Sequence, residues 1–134
     1  PPPRSPPSAS ARGATVLVID DEVAVARALD RLLSAEHSVE VISDSPAALR
    51  RLVSEPAPQV VLCDLMMPTL NGVELYERAC TARPELRERF VFVTGGAFTD
   101  DTSAFLAQTR APVVGKPFDA AELRRAVASR LAPG

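Results

Sequence analysis

Two hydrophobic periods alternate along the chain. Short β-branched runs occur at TVLVI (15–19), SVEVI (38–42), QVVLC (59–63), FVFV (90–93) and PVV (112–114), each the length of a strand. Between them apolar residues return every three or four positions, the spacing of an amphipathic helix. Glu22 to Ala35 places Val25, Leu29, Leu32 and Leu33 on one face. Ser45 as N-cap and Pro46 as first helical residue lead to Leu49, Leu52 and Val53. Asn71 to Ala82 carries Val73, Leu75, Tyr76 and Ala79, and Thr99 to Gln108 is a weaker helix with Phe105 and Leu106. Asp119 opens the last helix with a capping box to Glu122, ahead of Leu123, Val127 and Leu131. Five strands alternating with five helices predict an α/β fold, a parallel sheet covered on both faces.

The 134 residues are enough for one domain with its own core. Residues 1–13 are Pro- and Ser-rich without apolar period and read as a linker or tail, leaving 14–131 as the domain and 132–134 as a short tail. With no initiating Met, the chain is expected to be a piece of a longer protein. A net charge of −2 with scattered arginines gives no footprint for nucleic acid, and no run is long enough to span a membrane. Cys63 and Cys80 lie in a strand and a helix without metal-ligand spacing, so buried thiols in a reducing, cytoplasmic setting are expected. His37, alone between a helix and a strand, is expected to be solvated.

In parallel sheets of this kind the ligand site lies at the carboxyl ends of the strands. Strand one ends in Asp20 and Asp21, strand three in Asp64 and strand four in Thr94, while Gly115 and Lys116 follow strand five. Strand two ends in Ser43 and Asp44, which read as ordinary capping residues. Three carboxylates at one edge must share protons or bind a cation. Oxygen ligands without His or Cys favour a hard divalent ion, Mg²⁺ or Mn²⁺. The chain has a single lysine, Lys116, against fourteen arginines, a compact point charge where a planar fork would fit poorly. A carboxylate beside a metal, a hydroxyl and an ammonium can itself accept a phosphoryl group. Asp100 and Asp101, a second acidic pair, fall in the first turn of a helix, where acids complement the dipole.

The segments VLVIDDE, VVLCDLMMPTLNGVEL, FVTGG and VVGKPFD resemble, in order and spacing, the signature segments of the response-regulator receiver domain of two-component signalling. The resemblance covers nearly all of 14–131. It implies a flavodoxin-like doubly wound sheet of order 2-1-3-4-5 with five helices. It also implies that Asp64 accepts a phosphoryl group from a phosphohistidine, with Asp20, Asp21, Asp64 and the Met66 backbone carbonyl around Mg²⁺. Thr94 then matches the switch hydroxyl and Lys116 its cationic partner, with backbone N–H groups of Met66 and Gly95 at the remaining oxygens. The Lys116–Pro117 bond is a candidate cis peptide. Where such receivers often carry a switch aromatic, this chain has Val113.

Implied partners are a histidine kinase or a histidine phosphotransfer domain, with self-association through the fourth and fifth helices. As a phosphoacceptor domain the fragment is not in itself an enzyme, beyond assisting its own phosphorylation and dephosphorylation. The proline-rich segment ahead of the domain suggests the C-terminal receiver of a hybrid sensor histidine kinase, a parent that could be membrane-attached. The alternatives are a stand-alone or output-domain response regulator, a degenerate receiver that only binds, and an aspartyl-phosphate hydrolase of the haloacid-dehalogenase kind. The last carries its nucleophile as DxD on strand one, unlike the arrangement here.

Overall fold

The computed structural model describes residues 14–96 and 99–131, so the proline-rich segment and the last three residues lie outside the description. Strands β1 (Thr15–Ile19), β2 (Ser38–Ile42), β3 (Val60–Asp64), β4 (Phe90–Thr94) and β5 (Val113–Gly115) form one sheet of order β2-β1-β3-β4-β5, with every pair parallel. Helices α1 (Val23–Leu33), α2 (Ser45–Leu52), α3 (Gly72–Ala82), α4 (Asp100–Thr109) and α5 (Ala120–Leu131) make the crossovers. This is the doubly wound, flavodoxin-like topology that the strand–helix alternation and the resemblance implied.

Strand alternation divides the core in two. Leu17, Ile19, Val61, Cys63, Phe90 and Phe92 point to the face covered by α2 and α3, where they meet Ala48, Leu52, Leu75 and Ala79. Val16, Val18, Val60, Leu62, Val91, Val93 and Val114 point to the opposite face, against Ala26, Leu29 and Leu33 of α1 and Leu123 and Val127 of α5. All five residues of β3 are buried, as the central position in the sheet requires. The fourth helix is the least anchored: none of its residues is fully buried, and Phe105 holds it by edge-to-face contact with Tyr76 and Phe92.

Several local expectations change. Asp44, not Ser45, caps α2, accepting the Ala47 N–H at 3.0 Å. Ser45 and Pro46 both stand inside the first turn, and the Ser45 hydroxyl goes elsewhere. The reciprocal capping box forms at Asn71 and Glu74 at the start of α3, whereas at α5 the Asp119 carboxylate accepts from the Ala121 N–H. A 3₁₀ turn at Pro84–Glu88 was not anticipated; it buries Leu86 beneath the α3–β4 connection. His37 is half-buried rather than solvated, with Nδ1 out of reach of any hydrogen-bond partner among the described residues. Both cysteines are buried free thiols, as expected, and burial pushes both up, Cys80 to about 11. The Lys116–Pro117 bond is cis as anticipated, and the Glu55–Pro56 bond is cis as well.

Candidate functional site

The chain leaves β1 toward β2 on one side and returns to β3 on the other, so a crevice opens between the carboxyl ends of β1 and β3. Asp20 extends β1 by one residue, its N–H bonded to the Ile42 carbonyl at 3.3 Å, and Asp64 is the last residue of β3. Both side chains are buried, whereas Asp21 is exposed. One carboxylate oxygen from each of Asp20, Asp21 and Asp64 lies within 4.8 Å of the other two. The three acids singled out in the sequence therefore meet in space.

Lys116 reaches them from the opposite side. Its backbone N–H bonds to the Thr94 carbonyl at 2.8 Å, continuing the β4–β5 ladder past Gly115. Its ammonium then lies 3.2 Å from Asp20 Oδ2, 3.4 Å from Asp64 Oδ2 and 3.1 Å from Glu22 Oε1. Burial alone would lower the lysine, but Glu22, Asp64 and Asp20 outweigh it and hold the ammonium above its usual range. For Asp64, burial comes first and raises the carboxyl to about 6, with Asp20 adding to the rise and the Met66 N–H and Lys116 opposing it.

The donor set fits a hard divalent ion. Asp20 Oδ1 accepts the Glu22 N–H at 2.9 Å, whereas the buried Oδ2 accepts no hydrogen bond among the described residues and has the Lys116 ammonium, 3.2 Å away, as its counter-charge. Three clustered acids set against a single ammonium keep an excess of negative charge at a largely buried site, which a further cation relieves.

The remaining expected residues line the same edge. The Met66 side chain is exposed, while its N–H turns in and donates to Asp64 Oδ1 at 3.1 Å. The Thr94 hydroxyl donates to the Gly96 carbonyl at 3.2 Å, and no hydrogen bond joins it to Asp64 among the described residues. Gly95 lies against the Lys116 stem, where an added Cβ would sit 3.5 Å from Cδ. Val113 is partly exposed on β5 and cannot serve as an aromatic switch. Asp100 and Asp101 stay in the first turn of α4, as expected of dipole-complementing acids.

Two residues near the site were missed in the sequence. Glu22 stands directly after the acidic pair and hydrogen-bonds the lysine at 3.1 Å; its signal was the third acid of VLVIDDE. Gly72 follows Asn71 at the start of α3, and a Cβ there would fall 2.6 Å from the Asp64 carbonyl oxygen and 2.8 Å from Leu65 Cα. The start of α3 thus presses on the backbone that presents Asp64.

With this geometry, the profile of the response regulator receiver domain matches residues 16–128. The chain belongs to that family. An uncharacterized response regulatory protein of Vibrio parahaemolyticus is 34% identical over 121 residues, covering 84% of this chain and 46% of that protein. The hydrogenase transcriptional regulatory protein HoxA of Cupriavidus necator is 40% identical over 77 residues, 58% of this chain and 16% of that protein. A receiver domain protein from Clostridium thermocellum superposes with TM-score 0.76 at 27% identity, covering 88% of this chain and 94% of that one. The receiver described here thus spans less than half the length of these two curated relatives. Family membership sets aside the haloacid-dehalogenase alternative. No helix among the described residues is long and apolar enough to cross a membrane.

Proposed function

We propose that this receiver accepts a phosphoryl group on Asp64 from the phosphohistidine of a kinase or phosphotransfer domain. The supporting observation is the juxtaposition of the buried Asp64 carboxylate, a carboxylate cluster able to hold a divalent ion, and the chain's single lysine 3.4 Å away. An Asp64 oxygen attacks phosphorus, the P–N bond to the donor imidazole breaks, and the electron pair leaves with that nitrogen, which is protonated to give neutral histidine. The product is an acyl phosphate.

Asp20, Asp21, Asp64 and the Met66 carbonyl would hold Mg²⁺ or Mn²⁺, which supplies charge neutralisation for the nucleophile and the phosphoryl oxygens. This chain's own groups do the rest. Lys116 pairs with a phosphoryl oxygen once the acids are neutralised, the Met66 and Gly95 N–H groups donate to the others, and the Thr94 hydroxyl exchanges Gly96 for the phosphoryl group. That exchange ties the state of the site to the β4–α4 connection and biases a two-state domain.

For the parent protein, the named relatives favour one of two readings. HoxA is a transcriptional regulator, and a relative in Anaeromyxobacter dehalogenans is a protein-glutamate methylesterase, so related receivers are joined to output domains. We therefore place an output-domain response regulator ahead of a hybrid sensor histidine kinase, with partner contacts and self-association through α4 and α5 as part of the same proposal. The rest of the gene decides between them, by a kinase core on one side or an output domain on the other.

The phosphoacceptor reading is tested by incubating the chain with acetyl phosphate and Mg²⁺ and locating the label by mass spectrometry. Labelling of Asp64 that disappears in Asp64→Asn is expected; labelling that persists in the variant overturns the assignment.

A further inference from the structure

Ser45 sits in the first turn of α2 but does not cap it, since Asp44 does. Its buried hydroxyl crosses to the loop after β3, donating to the Pro68 carbonyl at 3.1 Å and accepting the Leu70 N–H at 3.1 Å. The Leu70 N–H also reaches the Pro68 carbonyl at 2.8 Å, so three groups close one compact knot. Within the knot Thr69 has φ 69°, a left-handed conformation that a β-branched residue keeps only where its surroundings fix it.

The same loop begins at Asp64. The Met66 N–H bonds to Asp64 Oδ1 at 3.1 Å, and the Gly72 N–H bonds to the Leu65 carbonyl at 2.9 Å. Among the described residues, and apart from Asp64 at the end of β3, Ser45 is the one hydrogen-bonding group that reaches residues 66–71 from outside the loop and α3. Two residues of chain span at most about 7 Å. Met66 is that close in sequence to Pro68, so a shift of the turn carries into the backbone facing Asp64.

We propose that Ser45 is a positioning residue for phosphoryl acceptance. Its hydroxyl clamps the Pro68–Leu70 turn and thereby holds the Met66 backbone, both N–H and carbonyl, in register with Asp64. A hydroxyl that donates to one side of a turn and accepts from the other fits a single placement of that turn, and alanine supplies neither bond. This inference rests on Asp64 being the acceptor, and it assigns part of the site's accuracy to α2, an element that contributes no group to the carboxylate cluster.

The test compares Ser45→Ala with Asp44→Ala in the full chain. Asp44→Ala removes the cap of the same helix and leaves the knot intact, so it reports loss of helix stability alone. Ser45→Ala is expected to slow acetyl phosphate labelling of Asp64 about tenfold, as a displaced reacting group does, and to shift the Met66 and Leu70 amide resonances of the metal-free protein. Asp44→Ala is expected to lower the melting temperature while leaving rate and resonances as in the parent. Wild-type labelling by Ser45→Ala with unmoved Met66 resonances overturns the proposal, as does equal slowing by Asp44→Ala. Should Ser45→Ala not fold, hydrogen exchange in the unmodified chain decides: protection of the Leu70 amide supports the knot, and exchange as fast as at Thr69 overturns it. Failure to label the unmodified chain counts against the phosphoacceptor reading instead, and the amide readouts still judge the hold of Ser45 on Met66.

Discussion

The ammonium of Lys116 stands 3.4 Å from Oδ2 of the buried Asp64 and 3.2 Å from Oδ2 of the equally buried Asp20, so one cation serves two acids that would otherwise repel. A metal ion entering the cluster meets that same positive charge. Lys116→Met therefore binds Mg²⁺ more tightly, by up to about tenfold, since removing a nearby like charge is worth about one kcal/mol or more at this range. The same variant labels with acetyl phosphate more than about tenfold more slowly, because the phosphoryl oxygens lose a charge-assisted partner. Titration calorimetry and labelling rates check the two halves; weaker Mg²⁺ binding contradicts the first.

Asp64, raised to about 6 chiefly by burial, sets a pH dependence of stability. An unfolded aspartate titrates near about 3.9. Between about pH 4 and pH 6 the folded chain thus keeps a proton that the unfolded chain has lost, and stability falls as pH rises through that window. In EDTA the contribution of Asp64, read as the difference between the unmodified chain and Asp64→Asn in urea unfolding at pH 5, 6 and 7, is less favourable at pH 7 than at pH 5. Mg²⁺ restores stability at pH 7 and less at pH 5, where the proton competes for the carboxylate.

Gly72 and Gly96 respond oppositely to an added methyl. At Gly72 the Cβ would fall 2.6 Å from the Asp64 carbonyl oxygen, a backbone atom unable to swing aside, whereas at Gly96 no atom of the described residues lies within 4 Å. Gly72→Ala is expected to cost about 1–3 kcal/mol of unfolding free energy, as overpacking does. Gly96→Ala stays within about 0.5 kcal/mol. Denaturant midpoints of the two variants, measured side by side, provide the comparison.

Thr94 spends its hydroxyl on the Gly96 carbonyl in this state, and Val113 on the neighbouring strand offers no aromatic ring to follow it. Thr94→Val keeps the shape and loses the oxygen. It is expected to leave Mg²⁺ affinity within about twofold, and stability within about 1 kcal/mol. Amide shifts caused by beryllofluoride should be confined to the strand ends, where the unmodified chain also shows them in α4 and α5.

Glu22 pairs with Lys116 from an exposed position, 63% accessible at the side chain. Exposed ion pairs contribute little. Glu22→Gln accordingly changes thermal stability by less than about 1 kcal/mol. Because the chain has one lysine, selective labelling gives a single side-chain NMR signal, and that signal moves in the variant if the pair persists in solution.

Periodicity and strand-end polarity were local properties, and the sequence by itself determined what depends on them: the strand–helix alternation, a parallel sheet covered on both faces, and the set of acids, hydroxyl and lysine at the carboxyl edge. Their meeting was inferable because in a parallel sheet every strand presents its C-terminal residue at the same edge. The tertiary structure decided what depends on contacts far apart in the chain. Ser45 read as a cap because its neighbours do, yet it bonds residues 23 and 25 positions away. Gly72 carries no chemistry of its own in the sequence, yet the closeness of α3 to the Asp64 backbone requires glycine there. Glu22 joined the site because the turn into α1 and the β5 loop bring it to Lys116, 94 positions along the chain. Propensity and pattern act over a few neighbouring residues, whereas a shared hydroxyl, a close backbone approach and an ion pair exist only once the sheet has brought distant segments together.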